Sequence, residues 1–391
     1  MRSVELFSGG GGLALGMSMA GFEHASLIEF DHDSCETLRL NKRRRIEHSS
    51  DWPVVEMDVR RFDYRTLKQP VDVVAGGVPC QPFSLGGKHR GHQDERDMFP
   101  EFARAVASLR PRAFIVENVK GLLRSSFSDY FEYVILRLSH PGVSRLSDEP
   151  WQSHCGELER IHTSGRSTGL DYHVVFTLLN AANFGVPQRR ERVVIVGFRA
   201  DLGIEFSFPR PTHSVDELLR QQWITGEYWD RHKIPSKRRP DVGPRLARRI
   251  DMIRSGFLGS AGETMPWRTV RDGIAGLKAL RAGQTDRDDP NHFINPGARS
   301  YKGHTGSPLD EPAKTLKAGD HGVPGGENTV ALEDGSIRYF SVREAARMQS
   351  FPDGYWFSGA WTERMRQVGN AVPVQLARVI ADSVGEKLAV K

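Results

Sequence analysis

Val4-Glu5-Leu6-Phe7-Ser8-Gly9-Gly10-Gly11-Gly12 reads as a short apolar strand running into glycines, with a helical pattern from Leu13 onward. Glycines at such a junction let the backbone turn tightly and approach a ligand closely. Gly9-x-Gly11-x-x-Ala14 satisfies the loose dinucleotide fingerprint, which leaves a redox enzyme and a methyl-transfer enzyme both open. Outward from this stretch, further apolar runs fall at 25–30, 54–57, 71–76 and 113–117, with two more near 173–178 and 192–198. Amphipathic stretches such as 33–42 and 99–109 lie between them, and a clean helical pattern returns over 373–388. Strand–helix alternation at this spacing predicts an α/β fold with a parallel, doubly wound sheet.

The 391 residues, 38% hydrophobic and 26% charged, describe an ordinary globular chain. No apolar run approaches the ~20 residues of a membrane span, and the first residues read as a strand rather than a secretory leader. Three cysteines, Cys35, Cys80 and Cys155, are too few for a disulfide framework and lack metal-ligand spacing, which fits a reducing interior and no bound metal. A net charge of +5 permits a nucleic-acid partner without requiring one. After residue 208 the alternation stops, and the chain becomes rich in Pro, Gly and Arg, with basic clusters at Lys237-Arg238-Arg239 and 245–249. The expected organisation is a first domain over 1–208, a smaller irregular one over 209–330, and a segment over 331–391 that returns to the first. Residues 139–169 read as an irregular surface insertion.

Three strand ends carry candidate chemistry. Glu29, 20 residues beyond Gly9, can accept hydrogen bonds from both hydroxyls of an adenosine ribose. Asp58, with Val59 beside it, stands where it can accept from an adenine amino group. The fourth strand ends in Gly76-Gly77-Val78-Pro79-Cys80-Gln81-Pro82-Phe83-Ser84. Prolines on both sides hold a single thiol at the mouth of the sheet, and a thiolate whose pKa is lowered by its neighbours is a strong nucleophile.

Pro79-Cys80-Gln81 resembles the catalytic motif of the DNA (cytosine-5)-methyltransferase family, bacterial restriction–modification type. Other motifs of that family follow in order: Phe7 to Gly12, Glu117-Asn118-Val119, Gln188-Arg189-Arg190-Glu191-Arg192, Arg343-Glu344-x-x-Arg347-x-Gln349-x-Phe351-Pro352 and Gly369-Asn370-Ala371-Val372-Pro373. The run from Pro312 to Gly322 is similar to the threonine–leucine signature of bacterial members.

The resemblance implies a Rossmann-like, S-adenosylmethionine-dependent methyltransferase sheet, and a target-recognition domain in the middle of the chain. Cys80 would add to a flipped-out cytosine, Glu117 would share a proton with N3, and Arg192, with Arg190 near it, would hold the base and orient the thiolate. Phe7 and Phe30 would flank the adenine of S-adenosylmethionine. Ser8, Gly9, Gly11, Gly12, Glu29, Asp58, Val59, Gly77, Met98, Asn370 and Ala371 would complete its pocket, from which S-adenosylhomocysteine leaves. Gln81, Ser84, Lys88 and Arg90, in the glycine-bearing loop after Cys80, would meet double-stranded DNA. A cytoplasmic bacterial enzyme acting as a monomer, sharing its site with a restriction endonuclease without a stable complex, is what the family leads one to expect. Glu5 stands where an aspartate is more usual. Two rivals remain. A transfer-RNA methylating subgroup carries a Cys-Phe-Thr tripeptide in its recognition region, and no cysteine follows Cys155 here. An inactive regulatory homologue would have lost Cys80 or Glu117, and both are present.

Overall fold

Seven strands form one sheet in the order β3-β2-β1-β4-β5-β7-β6. They are β1 (Arg2–Leu6), β2 (Glu23–Glu29), β3 (Val54–Glu56), β4 (Val73–Gly77), β5 (Ala113–Val119), β6 (Tyr172–Asn180) and β7 (Glu191–Arg199). The computed structural model describes residues 1–79, 97–146, 148–166, 169–258, 263–299, 305–318 and 328–390. Strands β1 to β5 pair in parallel, and β7 runs antiparallel to both of its neighbours, β5 and β6. The sheet is buried on both faces, which is why its strands read as near-continuous apolar runs. Val4, Leu6, Val74, Phe114 and Val116 pack on one face under α3 (Phe99–Leu109) and α4 (Ser128–Ser139). Val73, Ala75, Ala113, Ile115, Val194 and Val196 pack on the other, against α1 (Gly12–Met19) and α12 (Val374–Ala389).

The contact of α1 with α12 explains two of the early glycines. A Cβ at Gly12 would stand 2.2 Å from the Val372 carbonyl oxygen, and one at Gly16 would stand 2.5 Å from the Ala377 Cβ. The last segment of the chain therefore lies against the first helix. Helices α10 (Val342–Met348) and α11 (Trp361–Asn370) join the same body. Phe340, Val342, Phe351 and Tyr355 share an apolar cluster with Ala14, Leu15 and Leu38, the last on α2 (His32–Arg43).

Two expectations change. The stretch 139–169 is not irregular throughout: α5 (Trp151–Ser164) lies within it and buries His154, Cys155 and Leu158 against the main core. The region after residue 208 is also more regular than its composition suggested. It holds α6 (Val215–Trp223), α7 (Glu227–Arg231), α8 (Pro244–Arg254) and α9 (Val270–Ile274), with the short parallel pair β8 (His213–Ser214) and β9 (Met265–Pro266). Two small cores serve it, one around Leu218, Tyr228, Trp229 and Ile234, the other around Leu219, Ile250 and Ile253. From Val270 onward the chain turns back to the main body, where Val270, Ala313 and Leu316 pack beside α10. Strands β10 (Ser307–Pro308), β11 (Thr329–Ala331) and β12 (Ile337–Tyr339) make a small mixed sheet there.

Candidate active site

The carboxyl ends of β1, β2, β4 and β5 meet along one edge, where a sheet of this kind gathers its ligands. At the end of β1 the backbone is held in an uncommon shape. Phe7, Gly9 and Gly11 have φ of 58°, 51° and 83°. A left-handed phenylalanine is rare, and such strain persists where the surroundings over-determine it. Ser8 is buried below the turn. Space opens at Gly9, where a Cβ would meet nothing within 4 Å. Gly11 is closed from behind: its Cβ would stand 2.5 Å from the Tyr355 hydroxyl.

Glu29 ends β2 with its carboxylate accepting from the main-chain N–H of Gly9 (2.8 Å), Phe30 (2.9 Å) and Asp31 (2.9 Å). Burial pushes its carboxyl above the usual range, and those three donors pull it back. A carboxylate has about four acceptor sites, so three are spent on the loop and one stays open. Glu29 thus shapes the glycine turn while keeping one acceptor site open, a duty that sequence alone did not reveal. Phe30 beside it is 72% exposed, an unusual state for a phenylalanine and a ready platform for a flat ring. The Asp58 carboxylate is held low by Arg60, whose main-chain N–H and guanidinium both bond to it. Adenine would have to share Asp58 with that arginine. Val59 next to it is buried, and its carbonyl accepts from Arg104 at 2.7 Å. Met98 precedes α3 as its N-cap residue and packs partly buried against the core.

Two of the residues expected to be catalytic, Glu117 and Arg192, come together through strand register. Gly77 on β4 pairs with Glu117 on β5, and a Cβ on Gly77 would stand 3.4 Å from Glu117 Oε2. Asn118 donates to the Val78 carbonyl at 3.3 Å, fixing the chain just before Pro79. On the reversed strand β7, Val194 lies opposite Glu117 and Arg192 lies opposite Val119. Glu117 and Arg192 are therefore diagonal neighbours on one face. Arg192 Nε stands 2.6 Å from Glu117 Oε1, in an ion pair whose alignment falls short of a hydrogen bond. Cys80, Gln81, Ser84, Lys88 and Arg90 lie outside the described residues.

Arg190, expected beside Arg192 at the substrate, does something else. It is 1% exposed and donates to three carbonyls: Leu316 at 3.1 Å, Gly369 at 2.7 Å and Ala371 at 3.0 Å. Burial, then the charge of Arg192, lower its pKa well below the usual arginine range, and Glu117 opposes them. Gln188 works similarly, donating to the Met348 carbonyl at 3.1 Å and accepting from the Leu316 N–H at 3.0 Å. Arg343 pairs with Asp289, and Arg347 with Asp353 and the Ala275 carbonyl. These side chains bolt the middle of the chain to the sheet. Asn370, the exposed last residue of α11, and the buried Ala371 after it sit at the same junction.

The description "C-5 cytosine-specific DNA methylase" matches residues 1–144 and 153–386. The chain belongs to that family. Among relatives of this methylase, the type II methyltransferase M.Eco47II of Escherichia coli is 31% identical over 384 residues, covering 97% of this chain and 78% of that protein. M.NgoMIV of Neisseria gonorrhoeae is 29% identical over 391 residues, covering 98% and 96%. Among solved structures, a putative DNA modification methyltransferase encoded within an Escherichia coli prophage superposes on the methylase with a TM-score of 0.59 at 20% identity, covering 100% of this chain and 99% of that one. DNMT2 of Spodoptera frugiperda superposes with a TM-score of 0.58 at 14% identity, covering 99% of each. At those identities the two structures speak for the fold. The family depends on S-adenosylmethionine, and the open cradle at Gly9, the bare ring of Phe30 and the part-spent carboxylate of Glu29 fit an adenosine-bearing donor. Among the described residues no cluster of His, Cys, Asp or Glu could hold a metal ion, and no helix is long and apolar enough to cross a membrane.

Proposed function

We propose that this methylase modifies C5 of one cytosine within a specific duplex DNA sequence, using Cys80 as a transient nucleophile, and that it guards its host's DNA against a restriction endonuclease of matching specificity. The buried Glu117–Arg192 pair beside Gly77 carries this reading.

C5 of cytosine is a weak nucleophile, and it is hidden inside a duplex, so the base must first swing out of the stack. The Cys80 thiolate then adds to C6, and the electron pair of the C5–C6 double bond moves towards C5, C4 and N3. Glu117 shares a proton with N3 and so steadies the charge arriving there. Arg192 keeps Glu117 in place and offers its remaining N–H groups to the base oxygen O2. Two buried guanidinium groups, Arg190 and Arg192, against one carboxylate give this corner positive potential, which favours a thiolate and an electron-rich base. S-adenosylmethionine supplies the electrophilic methyl group. Gly9, Gly11, Glu29 and Phe30 would hold its adenosine half, with Phe7, Ser8, Gly12, Asp58, Val59, Gly77, Met98, Asn370 and Ala371 around it. Loss of the C5 proton to a base then allows the C6–S bond to break and frees Cys80.

Residues 209–330 would carry target recognition, on the strength of the separate small cores in their first part and the exposed basic helix α8 there. Gln81, Ser84, Lys88 and Arg90 would meet the DNA. The type II methyltransferase names of several relatives support the restriction–modification role; action as a monomer in the cytoplasm belongs to the same proposal.

The test is covalent trapping. Protein and S-adenosylmethionine are mixed with duplexes containing 5-fluorocytosine, whose fluorine blocks release of Cys80. A denaturation-resistant adduct, absent in Cys80→Ser, is expected, and sequencing the trapped DNA gives the target. Adducts on RNA alone would replace DNA as the substrate, and none on either would leave a regulatory protein.

A further inference from the structure

We infer that Tyr355 is a positioning residue for methyl-donor binding, a strut that holds the Gly9–Gly11 turn in shape from behind; this rests on the cofactor-pocket reading above. Tyr355 is fully buried, and its hydroxyl donates to the Gly10 carbonyl at 2.9 Å across 345 residues of sequence. The same oxygen occupies the space a Gly11 Cβ would need. It therefore fixes one residue of the turn by a hydrogen bond and constrains the next by contact. Both lie in a segment where three residues of five adopt left-handed backbone, a shape that must be imposed from outside.

The strut is itself held. The Tyr355 ring packs between Phe351, at 5.0 Å, and Phe357, at 5.4 Å, and leans on Trp52 at 6.3 Å. Asn41 clamps the neighbouring Trp356 by both main-chain groups, accepting from its N–H at 2.9 Å and donating to its carbonyl at 2.7 Å. Burial, followed by the nearby Glu5 carboxyl, raises the Tyr355 pKa well above the usual range, so the hydroxyl stays a donor. Phe357 closes the remaining side, 3.2 Å from where a Gly10 Cβ would sit. Tyr355 touches the turn from behind, at Gly10 and Gly11, and its influence on the donor runs through them.

Tyr355→Phe keeps the ring and removes only the hydroxyl. In the full-length enzyme the KM for S-adenosylmethionine should rise about three- to tenfold while kcat at saturating donor stays put, the pattern of lost ground-state binding. S-adenosylhomocysteine binding, measured by calorimetry, should weaken by the same factor. Asn41→Ala loosens the strut without touching the turn and should shift KM in the same direction by less. It also keeps the question open to experiment if Tyr355→Phe does not fold. Glu29→Gln serves as the reference. A raised KM there with Tyr355→Phe and Asn41→Ala both silent, or with kcat falling in place of a KM rise, overturns the strut and spares the pocket. An unchanged KM in Glu29→Gln overturns the pocket reading itself.

Discussion

The cofactor end of the molecule and the region proposed for target recognition are held together in opposite ways. Around the glycine turn the decisive contacts are buried, polar and remote in sequence: Gly10 to Tyr355, Thr37 to Gln367 at 2.6 Å, Arg190 to Gly369 and Ala371. In residues 209–266 the cores are small and local, and much of the polar bonding joins near neighbours or exposed pairs such as Arg220 with Glu217 and Arg249 with Asp216. The first arrangement fixes geometry for chemistry. The second tolerates change of surface residues, because exposed ion pairs contribute little.

Trp229→Ala tests the independence of the recognition cores most severely. Trp229 is fully buried and donates to the Gln222 carbonyl. Removing it should cost about 3–5 kcal/mol locally and abolish DNA methylation. S-adenosylhomocysteine binding, followed by calorimetry, should survive. Its loss would mean that the two regions fold as one unit.

Gly12→Ala probes the other side. The added methyl would meet the Val372 carbonyl, and overpacking against backbone should cost about 2 kcal/mol and weaken donor binding. Urea unfolding and a donor titration on the same variant check both effects.

Asp272 sits at the seam, capping α9 with Thr269 and pairing with His232. Burial opposes its charge, yet hydrogen bonds from His232 and Thr269 outweigh it and lower its carboxyl from 3.8 to about 2. A depressed carboxyl contributes stability above its unfolded pKa and loses it as pH falls through the folded value. Asp272→Asn should therefore cost about 2 kcal/mol at pH 7. The gap to the parent should close between about pH 4 and 2, as the parent itself loses the charge. A gap constant with pH would show that the shape of Asp272 matters and its charge does not.

The mildest change should be Gly243→Ala, at the start of α8, where a Cβ meets nothing within 4 Å and φ is −67°. Weaker N-capping and reduced freedom of the unfolded chain should nearly cancel, leaving a shift within about 0.5 kcal/mol. A thermal melt beside that of Gly12→Ala sets the two regions on one scale.

The sheet was legible because strands buried on both faces leave unbroken apolar runs, and α3 was found to the residue because its apolar positions keep helical spacing. Helix α5 was missed: Trp151 to Ser164 buries only His154, Cys155 and Leu158, among histidines, serines and a glycine that favour no helix. Helix α6 did carry a signal, Ser214 capping Glu217 ahead of Leu218 and Leu219, which the surrounding arginines and prolines obscured. At the site, motif spacing named Glu117 and Arg192, and strand register brought them together. Arg190 could not be read from its motif, since only the fold reveals three carbonyls converging on it. Tyr355 left no trace, because nothing in Pro352-Asp353-Gly354-Tyr355 announces a partner at Gly10.

That last contact has a consequence for synthesis. The glycine turn leaves the ribosome early, and the tyrosine that backs it follows 345 residues later, which at 5–20 residues per second is roughly 20–70 s. Throughout that interval the nascent chain owns a turn with no rear wall. Donor capture should reach full strength only when translation is nearly finished, and prematurely terminated chains should hold the donor more weakly.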